Sequence, residues 1–137
     1  MIVVKLTLSA VLVVLAAIHL LWALGYWWPL KDEAALTRAV VGTKGLTRMP
    51  GAVPCALVVV ALLFSAAWPW FTPGNLTTVG LVALIFVFVG RGALTYSPAA
   101  ARFALEDPFA RLNRIYYSPL CLILGLGFIA VLLEHLL

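Results

Sequence analysis

The chain alternates long apolar runs with short polar stretches. Four runs cover roughly 2–25, 51–70, 76–96 and 117–134, separated by two polar loops of about twenty residues and one tight turn. At a rise of about 1.5 Å per residue, each run is long enough to cross a hydrocarbon layer of about 30 Å as an α-helix. Pro73-Gly74-Asn75 is a turn so short that the second and third helices must be antiparallel neighbours. The pattern predicts an all-α membrane protein, a four-transmembrane-helix up-down bundle forming a single domain over residues 1–137.

The polar loops have a period of their own. In "KDEAALTRAVVG", Asp32 is placed to cap a short helix, Leu36 and Val40 share a face, and Gly42 is a stop. In "DPFARLNRIYY", Asp107 is the cap and Pro108 the first helical residue; Phe109, Leu112 and Tyr116 fall on one face, with Arg111 and Arg114 on the other. Both are predicted as short interfacial helices with the apolar side in the lipid boundary. Ser118-Pro119 is expected to break the second, and Pro119 to preorganise the first turn of the last span. Each loop helix precedes a proline and cysteine at the start of a span, "MPGAVPC" and "YYSPLC", so the chain also reads as two helical hairpins in tandem.

Composition narrows the class. Hydrophobic residues make up 65% of the chain and mean hydropathy is +1.14, outside the range of soluble domains, and the spans leave no room for one. The first run resembles a secretory signal, but it is too long for a signal core and ends in "GYWW" rather than in small residues, so it is expected to stay as a span. Tyr26, Trp27 and Trp28, then Trp68 and Trp70, Tyr96, and Tyr116 and Tyr117 mark span ends as interfacial aromatics do.

Seven basic residues lie in the two long loops: Lys31, Arg38, Lys44, Arg48, Arg102, Arg111 and Arg114. The other side has Lys5 alone. By the positive-inside rule both loops are expected in the cytoplasm and both termini outside, in a bacterial inner membrane. The net charge of +4 then suits anionic lipid headgroups at the cytoplasmic side. Nucleic acid is not an expected partner, since no exposed domain is available to hold it.

"IHLLWALGYWWP" at the end of the first run and "PFARLNRIYYSPLCLILGLGF" at the start of the fourth resemble a family of small bacterial four-span membrane proteins, the domain of unknown function 3995. The resemblance covers the layout of the whole chain and those two segments in detail. It implies a four-span fold and a membrane location, and no established activity. The chain departs from the family's pattern at Asn113, where an aspartate is common, and at "GRGALTYSP" in the third run.

Few residues could carry chemistry. His19 is about 12 Å from the aromatic belt, with Trp22 and Tyr26 on its face; metal binding, haem ligation and proton transfer are its functional options, and hydrogen bonding across helices its structural one. A haem held by two histidines is not expected, because His135 lies at the opposite membrane face. Arg91, between two glycines, either snorkels to the interface or pairs with a phosphate, a carboxylate or a loop acid such as Asp107. Cys55 and Cys121 form no C-x-x-C pair and are expected as packing residues. Gly51/Cys55 and Cys121/Gly125 are spaced to allow close helix contacts.

The acids are Asp32, Glu33, Glu106, Asp107 and Glu134, and none lies in mid-span, so the carboxylate of a proton-coupled exporter is missing. No Gly-rich phosphate loop, Ser-His-Asp set or paired carboxylates can be assembled, and no metal or cofactor is expected.

Two readings follow. The first is a non-enzymatic binding or accessory subunit of a membrane complex, or a homo-oligomer, with lipid-contacting loops. The second is a membrane enzyme or carrier for an anionic amphiphile, its ligand held by His19, Trp22, Arg91, Tyr96, Arg111, Arg114 and Tyr117. A cavity lined by His19 and Arg91 would favour the second, a filled interior the first. The charge count predicts that a reporter fused to the C-terminus is active outside the cytoplasm; cytoplasmic activity there would reverse the orientation.

Overall fold

The computed structural model describes residues 1–137 and is helical, with no strand. Four long apolar helices could cross a membrane: α1 (Ile2–Ala23), α3 (Ala52–Ala67) extended by a 3₁₀ turn Trp68–Trp70, α4 (Asn75–Leu94), and α6 (Ser118–Leu136). The expected spans are therefore present, within a few residues at their ends. The first loop holds α2 (Glu33–Val40), and the second holds a 3₁₀ segment Pro98–Phe103 and a short α5 (Phe109–Leu112).

The bundle consists of two hairpins. α1 packs along α3, α4 packs along α6, and a lighter seam joins α1 to α6; α3 and α4, expected as antiparallel neighbours from the short turn between them, do not pack along each other and meet mainly near that turn, where Trp68 lies against Gly80. One core ties them together: Leu8 and Leu12 from α1, Ala66 from α3, Leu81 and Phe88 from α4, and Leu124, Phe128 and Val131 from α6. Phe88 and Phe128 stack with ring centroids 5.4 Å apart. In the tight turn between α3 and α4, Thr77 Oγ1 donates to the Thr72 carbonyl and Trp68 Nε1 to the Thr77 carbonyl, which closes polar groups at the end of the hairpin. With four spans, both termini lie at one end of the bundle, where Lys5 and Glu134 pair at 2.8 Å across the α1/α6 seam.

At the other end the two loops interlock. Asp32 caps α2 as expected, accepting from the Ala35 N–H at 2.7 Å. Gly42 stops it at φ +71°, a conformation that a residue without Cβ adopts freely, and a Cβ there would also strike the Phe109 ring. The Glu106 N–H donates to the Gly42 carbonyl, and Tyr117 Oη donates to the Ala39 carbonyl. Leu36 is fully buried. The apolar face of α2 is thus covered by protein, where the sequence predicts lipid.

The second loop helix also differs from expectation. Ser118-Pro119 does not interrupt the chain; α5, a π turn over Asn113–Tyr117, and α6 run as one 28-residue helix, Phe109–Leu136. The reason is Pro119. It has no N–H to give to the carbonyl four residues back, and its ring crowds that carbonyl, which normally kinks a helix. Here the turn widens instead, with the Ser118 N–H donating to the Asn113 carbonyl five residues back. The extra residue in the turn shifts the register, so Tyr117 rather than Tyr116 follows Phe109, with ring centroids 5.8 Å apart. Tyr116 is exposed.

Small residues set the approach of α4 to α6. Gly125 lies against Val89, as its spacing with Cys121 leads one to expect, whereas Gly51 faces open space. Gly92 comes closer to backbone: a Cβ there would lie 2.6 Å from Leu122 Cγ and 2.9 Å from the Ser118 carbonyl oxygen. Gly90, two residues away, has nothing within 4 Å. Gly92→Ala is expected to lower stability by about 1–3 kcal/mol through overpacking. Gly90→Ala is expected to raise it by up to about 1 kcal/mol through helix propensity. Unfolding titrations of the purified protein in mixed micelles measure both, and equal effects would contradict the packing.

Candidate functional site

The polar residues at the loop end of the bundle meet between α4 and the widened turn. Arg91 stands in the last turn of α4, where a cation complements the helix dipole. Its Nη2 donates to Asn113 Oδ1 at 2.8 Å and its Nη1 to Ser118 Oγ at 3.3 Å. Asn113 Nδ2 donates to Thr95 Oγ1 at 2.9 Å, Ser118 Oγ donates to Asn113 Oδ1 at 3.1 Å, and the Thr95 and Ser118 hydroxyls lie 2.6 Å apart. Asn113 and Ser118 are buried, while Arg91 as a residue is exposed on its outer side. The π turn makes this possible, because the same local widening that accommodates Pro119 turns Asn113 inward, toward α4.

Asn113 therefore does two jobs. Its carbonyl oxygen accepts from Arg91 and Ser118, and its amide donates to Thr95. A side chain amide supplies both kinds of group at once, which a carboxylate cannot. The network leaves the guanidinium charge uncompensated. Asp107, one of the candidate partners for Arg91, accepts from the Arg111 N–H at 3.2 Å; Asp32 and Glu33 are likewise on backbone donors, of Ala35 and Met49. The single ion pair of the structure is Lys5–Glu134, at the opposite end.

The structure divides the expected site residues. Arg91 belongs to the cluster. Tyr96 sits beside it, its Oη donating to the Arg114 carbonyl at 2.6 Å, and Tyr117 reaches the other way, to Ala39 in α2. Arg111 and Arg114 are exposed and take part through their backbones. His19 and Trp22 form a separate pair, with ring centroids 4.8 Å apart. His19 Nδ1 is 2.7 Å from the Leu15 carbonyl, which can only accept, so Nδ1 carries a proton and donates. Trp22 Nε1 donates to the Trp28 carbonyl and folds the aromatic segment back on α1. α1 ends at Ala23, so Tyr26 lies beyond the helix and is not on the His19 face. No hydrogen bond or ring contact joins the His19 pair to the Arg91 cluster.

Asn113, Thr95 and Ser118 are the members that sequence reasoning does not pick out as a site. A buried-side signal exists only in hindsight of the wide turn, since ordinary helical spacing puts Asn113 among the solvated arginines. Cys55 is buried and Cys121 half-buried, both free thiols. No three His, Cys, Asp or Glu side chains come close enough together to hold a metal ion. The two principal clefts lie elsewhere. One, of 480 Å³, is at the termini end, between Lys5, Trp70, Glu134 and His135; His135 Nδ1 is buried there without a partner. The other, of 240 Å³, is an apolar groove between α1 and α6.

Four apolar helices in two packed hairpins, with a polar cluster confined to one end, define a small multi-pass membrane protein. Residues 12–128 match the family described as "Protein of unknown function (DUF3995)", and the chain belongs to that family. No curated protein and no solved structure matches it.

Removing the Asn113 side chain strands three partners, Arg91, Thr95 and Ser118. Asn113→Ala is expected to lower stability by about 1–3 kcal/mol, against less than about 0.5 kcal/mol for Arg114→Ala at the exposed neighbouring position. Thermal unfolding in detergent checks the pair. Equal losses would mean that the network carries no stability.

Proposed function

We propose that the chain is a binding subunit of a larger complex in a bacterial inner membrane, with both long loops in the cytoplasm and both termini outside. The observation that carries this is the groove between α1 and α6. It runs along the seam between the two hairpins and is lined by apolar residues of both, Val4, Leu8 and Val11 on α1 and Leu120, Ile123 and Leu124 on α6, with Thr7 and Gly127 completing it. Gly127 lets α6 close on Leu8 of α1, and the recess left beside that contact gives an apolar helix a place to pack, as helix association in lipid is driven by close packing. The proposed occupant is a transmembrane helix of another subunit.

The reading is further supported by the way the loop-end polar cluster closes on itself, each buried side chain satisfied by another. A carrier or enzyme for an anionic amphiphile asks for a cavity reaching both His19 and Arg91, and the two principal clefts are lined by neither. The orientation rests on the charge asymmetry of the loops. Lys5, the one residue that opposes it, is paired with Glu134.

A photo-crosslinking side chain at Ile123, in the groove, and one at Phe86, on α4 outside it, test the reading, since the two positions are 64% and 75% exposed. In native membranes Ile123 is expected to give a discrete adduct with a second polypeptide and Phe86 none. Lipid adducts alone at both positions would refute the subunit reading, and an adduct of twice the chain's mass would replace it with a homo-oligomer.

A further inference from the structure

We infer that Arg91 is the anchor of a specific site for the phosphate of an anionic phospholipid, on the outer face of the α4/α6 hairpin at the loop end. The inference is independent of any partner subunit and rests on three features of the residues around Arg91.

The first is charge. A guanidinium has five N–H donors in a planar fork. Arg91 gives one from Nη2 to Asn113 and one from Nη1 to Ser118, which leaves three. Both acceptors are neutral. Of the four loop acids, Asp32, Glu33 and Asp107 accept from backbone N–H groups and the Glu106 carboxylate makes no hydrogen bond; none of them lies within ion-pair distance of Arg91. A full positive charge with open donors, on an exposed residue at the edge of a hydrocarbon layer, needs an anion or water on its outer side.

The second is depth. A hydrocarbon core of about 30 Å takes about 20 helical residues. Counted from Glu134, the polar residue at the termini end of α6, that length reaches the neighbourhood of Arg114. Counted from the Thr72–Asn75 turn, it reaches the last turn of α4, which contains Arg91. The 28-residue helix Phe109–Leu136 therefore overhangs the core at the loop end, with its first turns among the headgroups. By this count Arg91, Asn113 and the Arg114 carbonyl held by Tyr96 Oη come to the hydrocarbon boundary, within side-chain reach of lipid phosphates.

The third is rigidity. A snorkelling arginine is ordinarily mobile and contacts whichever lipid passes. The Arg91 fork is fixed by two side chains, one of them fully buried and both held in a closed ring of hydrogen bonds with Thr95. The conformational cost of presenting the free edge of the fork is therefore met before a ligand arrives, which is the condition for selective rather than diffuse binding. The fork matches two oxygens of one phosphate. Arg114, next in sequence to Asn113, and Arg111 are exposed cations on the same segment.

The test uses the full chain in a neutral detergent, titrated with phosphatidylglycerol and, separately, with phosphatidylcholine. Retained lipid is read by native mass spectrometry, and stability by thermal unfolding. Phosphatidylglycerol is expected to bind saturably and to raise the unfolding midpoint, and phosphatidylcholine to do neither. Arg91→Gln is expected to weaken that binding about tenfold or more, the loss typical of a charge-assisted hydrogen bond.

Asn113→Asp is the sharper variant. It keeps the acceptor oxygens for Arg91 and Ser118, but places a carboxylate against the guanidinium, so the lipid should be lost while the fold is kept. It carries the test if Arg91→Gln does not fold. Arg114→Gln, outside the hydrogen-bonded ring, is expected to change binding less than about threefold. Undiminished lipid binding by Asn113→Asp would overturn the proposal, as would an equal loss in Arg114→Gln, which would reduce the effect to general surface charge. Inorganic phosphate stabilising the protein as well as the lipid does would also overturn it, since the ligand would then be a free anion.

Discussion

A guanidinium in the last turn of a membrane span must be solvated by something, and the loop end of this protein is arranged around that requirement. Arg91 cannot be deprotonated, and the lipid side of α4 offers it no partner within the hydrocarbon. Asn113 and Ser118 supply the inner half of its solvation from the neighbouring helix. They can do so only because the helix carrying them is one residue wider per turn at that place. The backbone defect at Pro119, the inward rotation of Asn113, the absence of a side chain at Gly92 and the contact of α4 with α6 are thus one structure. Closing the widened turn would return Asn113 to the surface and leave Arg91 bonded only through its outer edge.

The spans, the turn at Pro73-Gly74-Asn75 and the cap at Asp32 were legible because each is a local matter: hydrophobic length, the chemistry of a turn, an oxygen three residues before an N–H. The polar cluster was not, for a reason that lies in helical geometry. Sequence spacing assigns faces by assuming about 3.6 residues per turn. One π turn breaks that assumption, and every assignment on the far side of it moves by a residue, which is why Tyr116 was expected where Tyr117 lies. Arg91 itself was legible as a residue of interest from its burial in an apolar run. Its partner was not, since Asp107, an acid of the second loop and an evident candidate, is used to hold the backbone of Arg111. His19 and Arg91 belong to one candidate ligand set in the sequence, yet no hydrogen bond joins their surroundings in the structure. Depth is read along a helix axis, whereas proximity depends on which way each helix is rotated and on which helices are neighbours. Here α1 pairs with α3 and α4 with α6.

The loops show a related lesson about amphipathic helices. A short helix with one apolar face next to a membrane span has two ways to bury that face, in lipid or in protein, and the sequence pattern is the same for both. Leu36 and Phe109 take the second way: they are buried at the end of the bundle, in loops sewn together by Gly42, Glu106 and Tyr117. A polar end closed in this manner is a lid over the hairpins, with its lysines and arginines exposed beside aromatic residues such as Tyr26, Trp28 and Tyr116.

The ion pair between Lys5 and Glu134 has an electrical consequence. With those two cancelling, the termini end is neutral in its side chains, and the formal charge of +4 resides wholly at the loop end, where eight basic residues face four acids. The molecule is therefore polarised along the membrane normal. Moving an elementary charge across a membrane potential involves roughly 2.3 kcal/mol per 100 mV. Four unbalanced charges at one end give an energised bilayer a handle of several times that size, so a voltage across the membrane favours whichever orientation places the loop end on its negative side.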